Sequence, residues 1–143
     1  MQTLHVVCGL PAVGKTTYAL KLAKELGAAF FDSDTATDLI IQAAHRAAGL
    51  DPHDRDSQLY KETYREPVYE TLFALADQNL AHTDVIIAGP FTQELVECEA
   101  WECELLERFS PHSVEIHHLQ ISEEVRLQQM KQRCALRDEA KYG

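Results

Sequence analysis

The stretch Gly9-Leu10-Pro11-Ala12-Val13-Gly14-Lys15-Thr16 sets two glycines five positions apart and follows the second with lysine and threonine. That is the spacing of a phosphate-gripping P-loop. Each fixed residue has a physical task. Gly9 and Gly14 let the backbone turn its N–H groups inward around phosphate oxygens. Lys15 reaches over the loop as a point charge. The Thr16 hydroxyl is placed to hold Mg²⁺. The helix that follows aims its positive N-terminal end at the anion. Gly9, Pro11, Ala12, Val13, Gly14, Lys15, Thr16 and Thr17 are therefore the candidate contacts to a nucleoside polyphosphate.

The flanks supply the context such a loop needs. Leu4-His5-Val6-Val7-Cys8 is a short, mostly apolar run of the kind a buried parallel strand uses. Beyond the loop, Ala19, Leu22, Ala23 and Leu26 recur at helical spacing, and Gly27 stops them. Ala28-Ala29-Phe30-Phe31 predicts a second strand, ending at Asp32-Ser33-Asp34. A helix follows, with Leu39, Ile40, Ala43, Ala44 and Ala47 on one inward face and Gly49 closing it. Residues 57–82 read as helical with a break at Pro67, which suits the first turn of a new helix. Val85-Ile86-Ile87-Ala88 is a third buried strand, stopped by Gly89-Pro90. Thr92 caps another helix, with Leu95, Cys98, Trp101, Leu105 and Phe109 inward. Its glutamates at 94, 97, 99, 102, 104 and 107 form a solvated face. A fourth strand covers roughly 113–121, and Ser122 caps a last helix with Glu123 and Glu124 in its first turn. Strands alternating with helices predict an α/β fold, three layers with helices on both faces of a parallel sheet. Ligands in such a sheet sit at the carboxyl ends of the strands. That rim gathers Gly9–Thr16, Asp32–Asp34 and Gly89–Phe91.

The 143 residues are read as one domain, 1–143. Apolar residues at 45% and charged residues at 25% are those of an ordinary globular protein. The chain holds no apolar run near the length of a membrane span, and no cationic leader precedes the first strand. A cytoplasmic protein without membrane contact is the expectation. Cys8, Cys98, Cys103 and Cys134 do not fall in metal-binding pairs, so free thiols are expected. His117 and His118 would point to opposite faces of a strand, with no partner at zinc spacing, so no metal role is expected of them. The net charge of −10 argues against a long nucleic acid as partner. Residues 126–143 depart from that balance, with five basic against two acidic side chains. They suit either an anion partner or a helix end matched to its dipole.

A P-loop alone says only that a polyphosphate is held. A GTPase would need Asn-Lys-x-Asp and a switch Asp-x-x-Gly, which the chain does not contain. A motor ATPase would need a longer module and an acidic pair ending the third strand, where Ala88-Gly89-Pro90 stands. Four segments together carry a resemblance. They are Gly9–Thr16, the Asp32-x-Asp34 after the second strand, Ala88-Gly89-Pro90-Phe91-Thr92 after the third, and Arg133-x-x-x-Arg137-Asp138-x-x-Lys141. The chain resembles, over nearly its whole length, the small P-loop kinases grouped as AAA-type ATP-binding proteins. Relatives there include polynucleotide kinase 5′-kinase domains, chloramphenicol phosphotransferase, gluconate kinase and zeta toxins.

The resemblance implies a three-layer P-loop nucleoside triphosphate hydrolase fold, ATP and Mg²⁺ as cofactors, and γ-phosphate transfer to an alcohol group. The acceptor would be a small-molecule or nucleotide-like substrate with a free hydroxyl. Asp34 matches the carboxylate that takes the proton from that hydroxyl or orients it. Asp32 would serve the Mg²⁺ shell, or cap the next helix. Arg133 and Arg137 match lid arginines over ATP, in a lid segment of about 126–143. With Lys15 and Asp34 they make up the candidate catalytic set. Arg65 is a candidate for an anionic substrate group, or for a surface salt bridge. Two features depart from the family. Many relatives end the third strand with an Asp that helps hold Mg²⁺; Ala88 stands there. Relatives also continue past the Arg-Asp-x-x-Lys segment with another strand or helix carrying the adenine contacts; here the sequence reaches only Gly143. These departures keep an ATP-binding module or weak ATPase open beside the kinase; a zeta-toxin-like sugar-nucleotide kinase is a narrower reading that nothing in the sequence selects.

Overall fold

The first strand, β1 (Thr3–Cys8), is buried from Leu4 to Cys8, as a central parallel strand must be when both its faces are covered. In the computed structural model, which describes residues 1–10 and 13–120, β1 pairs in parallel with β3 (Val85–Gly89) and with β4 (Ser113–His118). β2 (Ala29–Asp32) adds to the far side of β3, so the order is β2-β3-β1-β4. Strand alternation then sorts the side chains by face. Leu4, Val6, Cys8, Val85, Ile87 and Val114 pack under three helices: α2 (Ser33–Ala47), α3 (Gln58–Asn79) and α4 (Cys98–Arg108). Val7, Ile86 and Ala88 pack on the other face against Ala19, Leu22 and Ala23 of α1 (Lys15–Leu26). The three-layer α/β arrangement is the one expected. Among the described residues no helix is long and apolar enough to cross a membrane.

The helix stops follow the glycines. Gly27 ends α1 with φ 63°, and the Ala28 N–H reaches the Ala23 carbonyl at 3.0 Å. Gly49 follows α2 with φ 73°; its own N–H donates to Arg46 O and that of Leu50 to His45 O, the paired bonds of a left-handed C-terminal closure.

Four expectations need correction. Leu39 and Ile40 are 76% and 74% exposed, so the face of α2 turned inward is not the more apolar one. It is the face of Ser33, Ile41 and His45. The His45 ring lies tilted against that of Tyr64 of α3, centroids 5.2 Å apart, and sits edge-on to Tyr60, and its Nδ1 bonds the Asp51 carbonyl at 2.6 Å. These contacts, with the Asp32 cap at the start of α2, set the helix phase. Secondly, α3 runs unbroken through Pro67. Proline removes one N–H donor, but Tyr60 and Tyr64 before it and Val68, Tyr69 and Leu72 after it all pack on the same core. Thirdly, Thr92 caps no helix. A 3-10 turn at Glu94–Glu97 precedes α4, and Glu94 is not simply solvated but pairs with Arg65. Finally, β4 ends at His118. The helix expected from Ser122 lies outside the described residues.

The cause of the delayed helix is Phe91. It has φ 47°, rare for a residue with a side chain, and is fully buried. Its ring stacks on Tyr69 at 4.1 Å and meets Trp101 at 5.1 Å, and its N–H donates to the Tyr69 hydroxyl at 2.9 Å. Held this way, the chain leaves β3 in a left-handed step and needs one tight turn before α4. Burial pushes the Tyr69 phenol up to about 12, so it stays a neutral acceptor. Tyr69→Phe keeps the ring and strips the partner from a buried N–H. It should cost about 1–3 kcal/mol, read as a lower denaturant midpoint with an unchanged slope. An unaltered midpoint would show that the hydroxyl carries no such role.

Candidate functional site

The register aligns the strand ends. Asp32 of β2 sits beside Ala88 of β3, and Ala88 beside Val7 of β1, while Gly89, Cys8 and His118 form the next row. The loop at Gly9 therefore leaves from the carboxyl rim of the sheet, where ligands of such sheets sit. Its N–H donates to Pro90 O at 3.4 Å, tying the loop to the segment after β3. Gly9 has φ 149°, and a Cβ there would lie 2.6 Å from the Leu119 carbonyl oxygen, itself fixed because the Leu119 N–H bonds Cys8 O. Only glycine fits this crossing. Val13 is buried beneath the loop, and Gly14, with φ 94°, turns the chain into α1. Pro11 and Ala12 lie outside the described residues.

Two features suit this loop to an anion. Lys15 folds back over it, its Nζ donating to Gly9 O at 2.8 Å and Leu10 O at 3.1 Å. The α1 N-terminus has no side-chain cap and no acidic residue in its first turn. The positive end of its dipole therefore suits an anion. Thr16 and Thr17 are exposed in that turn.

Asp32 faces the α1 side of the sheet, beside Ala88. Its carboxylate accepts from the Asp34 N–H at 2.9 Å and the Thr35 hydroxyl at 2.7 Å, which makes it the N-cap of α2. Asp34 stands in the first turn of α2 and is exposed. Tyr60 of α3 lies in the field of Asp34, Asp38 and Asp54, while Arg55 bonds Asp38. Burial, with those carboxylates, holds the Tyr60 phenol above its ordinary value. Arg65 pairs with Glu94 at 2.5 Å and covers the Tyr69 ring, so the salt-bridge alternative describes it. Cys8 beside the loop is raised to about 12 by burial, so its thiol is inert.

Residues 4–142 match the family AAA_33, described as an AAA domain. The chain belongs to this AAA domain family. Its fold is that of small P-loop kinases. The AAA domain is similar to a crystal structure from Chloroflexus aurantiacus J-10-fl at 23% identity and TM-score 0.66, over 94% of this chain and 68% of that one. A sugar kinase from Janibacter sp. HTCC2649 matches at 23% identity and TM-score 0.59, over 92% and 67% of the two chains. A gluconokinase from Sinorhizobium meliloti 1021 matches at 16% identity and TM-score 0.55, over 92% and 65%. The AAA domain chain thus spans about two thirds of the length of each. No curated protein matches it.

Of the predicted residues, the rim brings together Gly9, Val13, Gly14, Lys15, Thr16 and Thr17, with Asp32 and Asp34 two strands away. Arg133, Arg137 and the lid segment of about 126–143 lie outside the described residues. Three features escaped the sequence reading. One is a cleft of about 260 Å³ beside the loop, lined by Gly9, Leu10, Thr92, Leu95, Val96 and His118. Another is the Tyr69–Phe91 clamp. The third is a polar group on the α1 face made by His5, Glu115 and His117. His117 and His118 do face opposite ways, as expected, but His117 meets partners from other elements. Burial and the neighbouring His5 hold the His117 imidazole below its ordinary range.

Proposed function

We propose that the chain is an ATP-dependent kinase that moves the γ-phosphate of ATP to a hydroxyl of a small or nucleotide-like acceptor. The observation that carries this is Lys15 folded over a glycine-built loop at the uncapped end of α1, on the same rim as Asp34. In this reading Gly9, Pro11, Ala12, Val13, Gly14, Lys15, Thr16 and Thr17 hold the triphosphate. The acceptor oxygen attacks the γ-phosphorus as the bond to the bridging β–γ oxygen breaks. ADP leaves, and the acceptor proton passes to the Asp34 carboxylate. Lys15, with Arg133 and Arg137 from the lid, stabilises the charge on the moving group.

The hard oxygen donors Thr16 and Asp32 fit Mg²⁺, and Asp32 stands beside Ala88 in the same row of the sheet, Ala88 being where relatives carry the acidic residue. Mg²⁺ held there would supply charge neutralisation to the phosphates. The alternative, an ATP-binding module or weak ATPase, is favoured by Ala88 itself. The zeta-toxin-like sugar-nucleotide kinase is a narrower form of the first reading.

ADP release from Mg·ATP, measured against sugars, sugar acids, nucleosides, antibiotics and 5′-hydroxyl oligonucleotides, separates these readings. Sugars and sugar acids come first because two similar structures are a sugar kinase and a gluconokinase. The kinase reading expects one class to raise ADP release and to gain the phosphate. Release that is equal with and without every acceptor leaves the binding module or weak ATPase.

A further inference from the structure

His5 is an unusual residue for the middle of a central strand: a histidine only 5% exposed. In the parallel register it lies beside Glu115 of β4, and Val7 lies beside His117. Residues two apart on a strand share a face, so Glu115 and His117 both stand over His5 on the α1 side. Their polar atoms converge. The Nδ1 of His5 is 3.0 Å from the Nε2 of His117 and 3.1 Å from a Glu115 carboxylate oxygen. On its other side, the Nδ1 of His117 is 2.7 Å from the Tyr18 hydroxyl of α1.

Protons alone serve this arrangement poorly. With the His117 proton on Nδ1, the Nδ1 of His5 faces two acceptors, the Glu115 carboxylate and the Nε2 of His117, and it carries at most one hydrogen. A divalent cation accepts all three lone pairs at once. The separations also suit one. Bonds of about 2.0–2.1 Å place tetrahedral donor atoms roughly 3.3 Å apart, close to the two separations at the Nδ1 of His5, and all three ligand atoms lie within 4.8 Å of one another. Coordination through Nε2 leaves the His117 proton on Nδ1, where Tyr18 accepts it. That is the outer-shell bond that fixes a ligand imidazole.

We propose that His5, Glu115 and His117 form a zinc-type metal site, separate from the phosphate loop, that ties β4 to β1 and, through Tyr18, to the first turn of α1. Two imidazoles and a carboxylate select zinc or a similar transition metal over Mg²⁺. The site differs in this from the oxygen donors at Thr16 and Asp32. Glu115, with a side chain 60% exposed, gives the ion access from solvent. Three protein ligands leave a fourth position for water. The ion's role is to hold β4 and the loop-bearing helix together, so it acts on stability, not on a reaction step.

The test uses the full chain, stripped with a chelator and titrated with Zn²⁺ and with Co²⁺ in millimolar Mg²⁺ without nucleotide. One Zn²⁺ should bind per chain and raise the thermal midpoint, and Co²⁺ should give the visible bands of a tetrahedral site. His117→Asn should abolish binding, and Tyr18→Phe should weaken it about 10- to 100-fold. Glu115→Gln, at an exposed position that leaves folding intact, should weaken it at least as much. The metal-free thermal midpoint of each variant reports separately on folding. Wild type that takes up no Zn²⁺ overturns the site. So does Zn²⁺ binding that either His117→Asn or Glu115→Gln leaves unchanged, because the ion then sits elsewhere.

Discussion

Asp34→Asn should lower phosphoryl transfer by roughly 10²- to 10⁴-fold while leaving the affinity for Mg·ATP unchanged. The substitution is almost isosteric and falls on an exposed residue in the first turn of α2. What holds the backbone there is the Asp32 carboxylate on the Asp34 N–H, and an asparagine side chain at 34 does not disturb it. The fold should therefore be untouched, and the effect should appear in kcat at saturating acceptor. Two strand spacings, about 10 Å, separate β2 from β1, so the role requires an acceptor bound between Asp34 and the loop. If the variant transfers phosphate at the wild-type rate, Asp34 is not the base. If it loses ATP binding as well, the residue acts on the nucleotide or on the fold.

The parts of the fold legible in the sequence are those where one physical demand leaves few residue choices. The loop at Gly9 needs glycine because a Cβ would strike the Leu119 carbonyl, and Gly14 needs it for a left-handed turn. Strands buried on both faces show as apolar runs, so β1 and β3 stand out. The order β2-β3-β1-β4 does not, since nothing local says which strand lies beside which. Helix phase failed where two faces competed. Along α2 the apolar set Leu39, Ile40, Ala43, Ala44 and Ala47 satisfies the helical period, and so does the set Ser33, Ile41 and His45. Apolar content favours the first. The structure chooses the second because His45 finds Tyr60 and Tyr64 on α3, a tertiary contact that periodicity does not carry. Pro67 misled in the same way: the local cost was real, and packing on both sides of it outweighed that cost.

The site divides along the same line. The candidates for the triphosphate and both candidate aspartates could be named from the sequence because the patterns that suggest them are local, a loop of eight residues and a strand end. Arg65 stayed ambiguous until Glu94, 29 positions away, appeared beside it. The group of His5, Glu115 and His117 was invisible to a search for ligands at short spacing, because His5 and His117 stand 112 positions apart. The signal that could have found it was a polar residue inside an otherwise apolar central strand.

Lys15→Ala should weaken ATP binding about 10- to 150-fold, the equivalent of one charge-assisted contact of about 1.5–3 kcal/mol, and should do so whatever the acceptor. The lysine ammonium lies across the mouth of the loop on the carbonyls of Gly9 and Leu10. A bound phosphate would meet that charge before it met the backbone N–H groups. Arginine should not restore the function. Its planar fork spreads the charge over a wider group, whereas the loop offers two carbonyls to a compact ammonium. Transfer should fall further than binding, because charge grows on the γ-phosphoryl oxygens as the bond to ADP breaks. Removing one such stabilising donor costs about 10²- to 10³-fold in kcat. Equilibrium titration with ATP and single-turnover rates separate the two losses. The comparison with Asp34→Asn then discriminates the readings. A kinase loses transfer in both variants and binding only in Lys15→Ala. A binding module loses binding in Lys15→Ala and nothing measurable in Asp34→Asn. Should Lys15→Ala bind ATP as tightly as wild type, the loop is not the phosphate site.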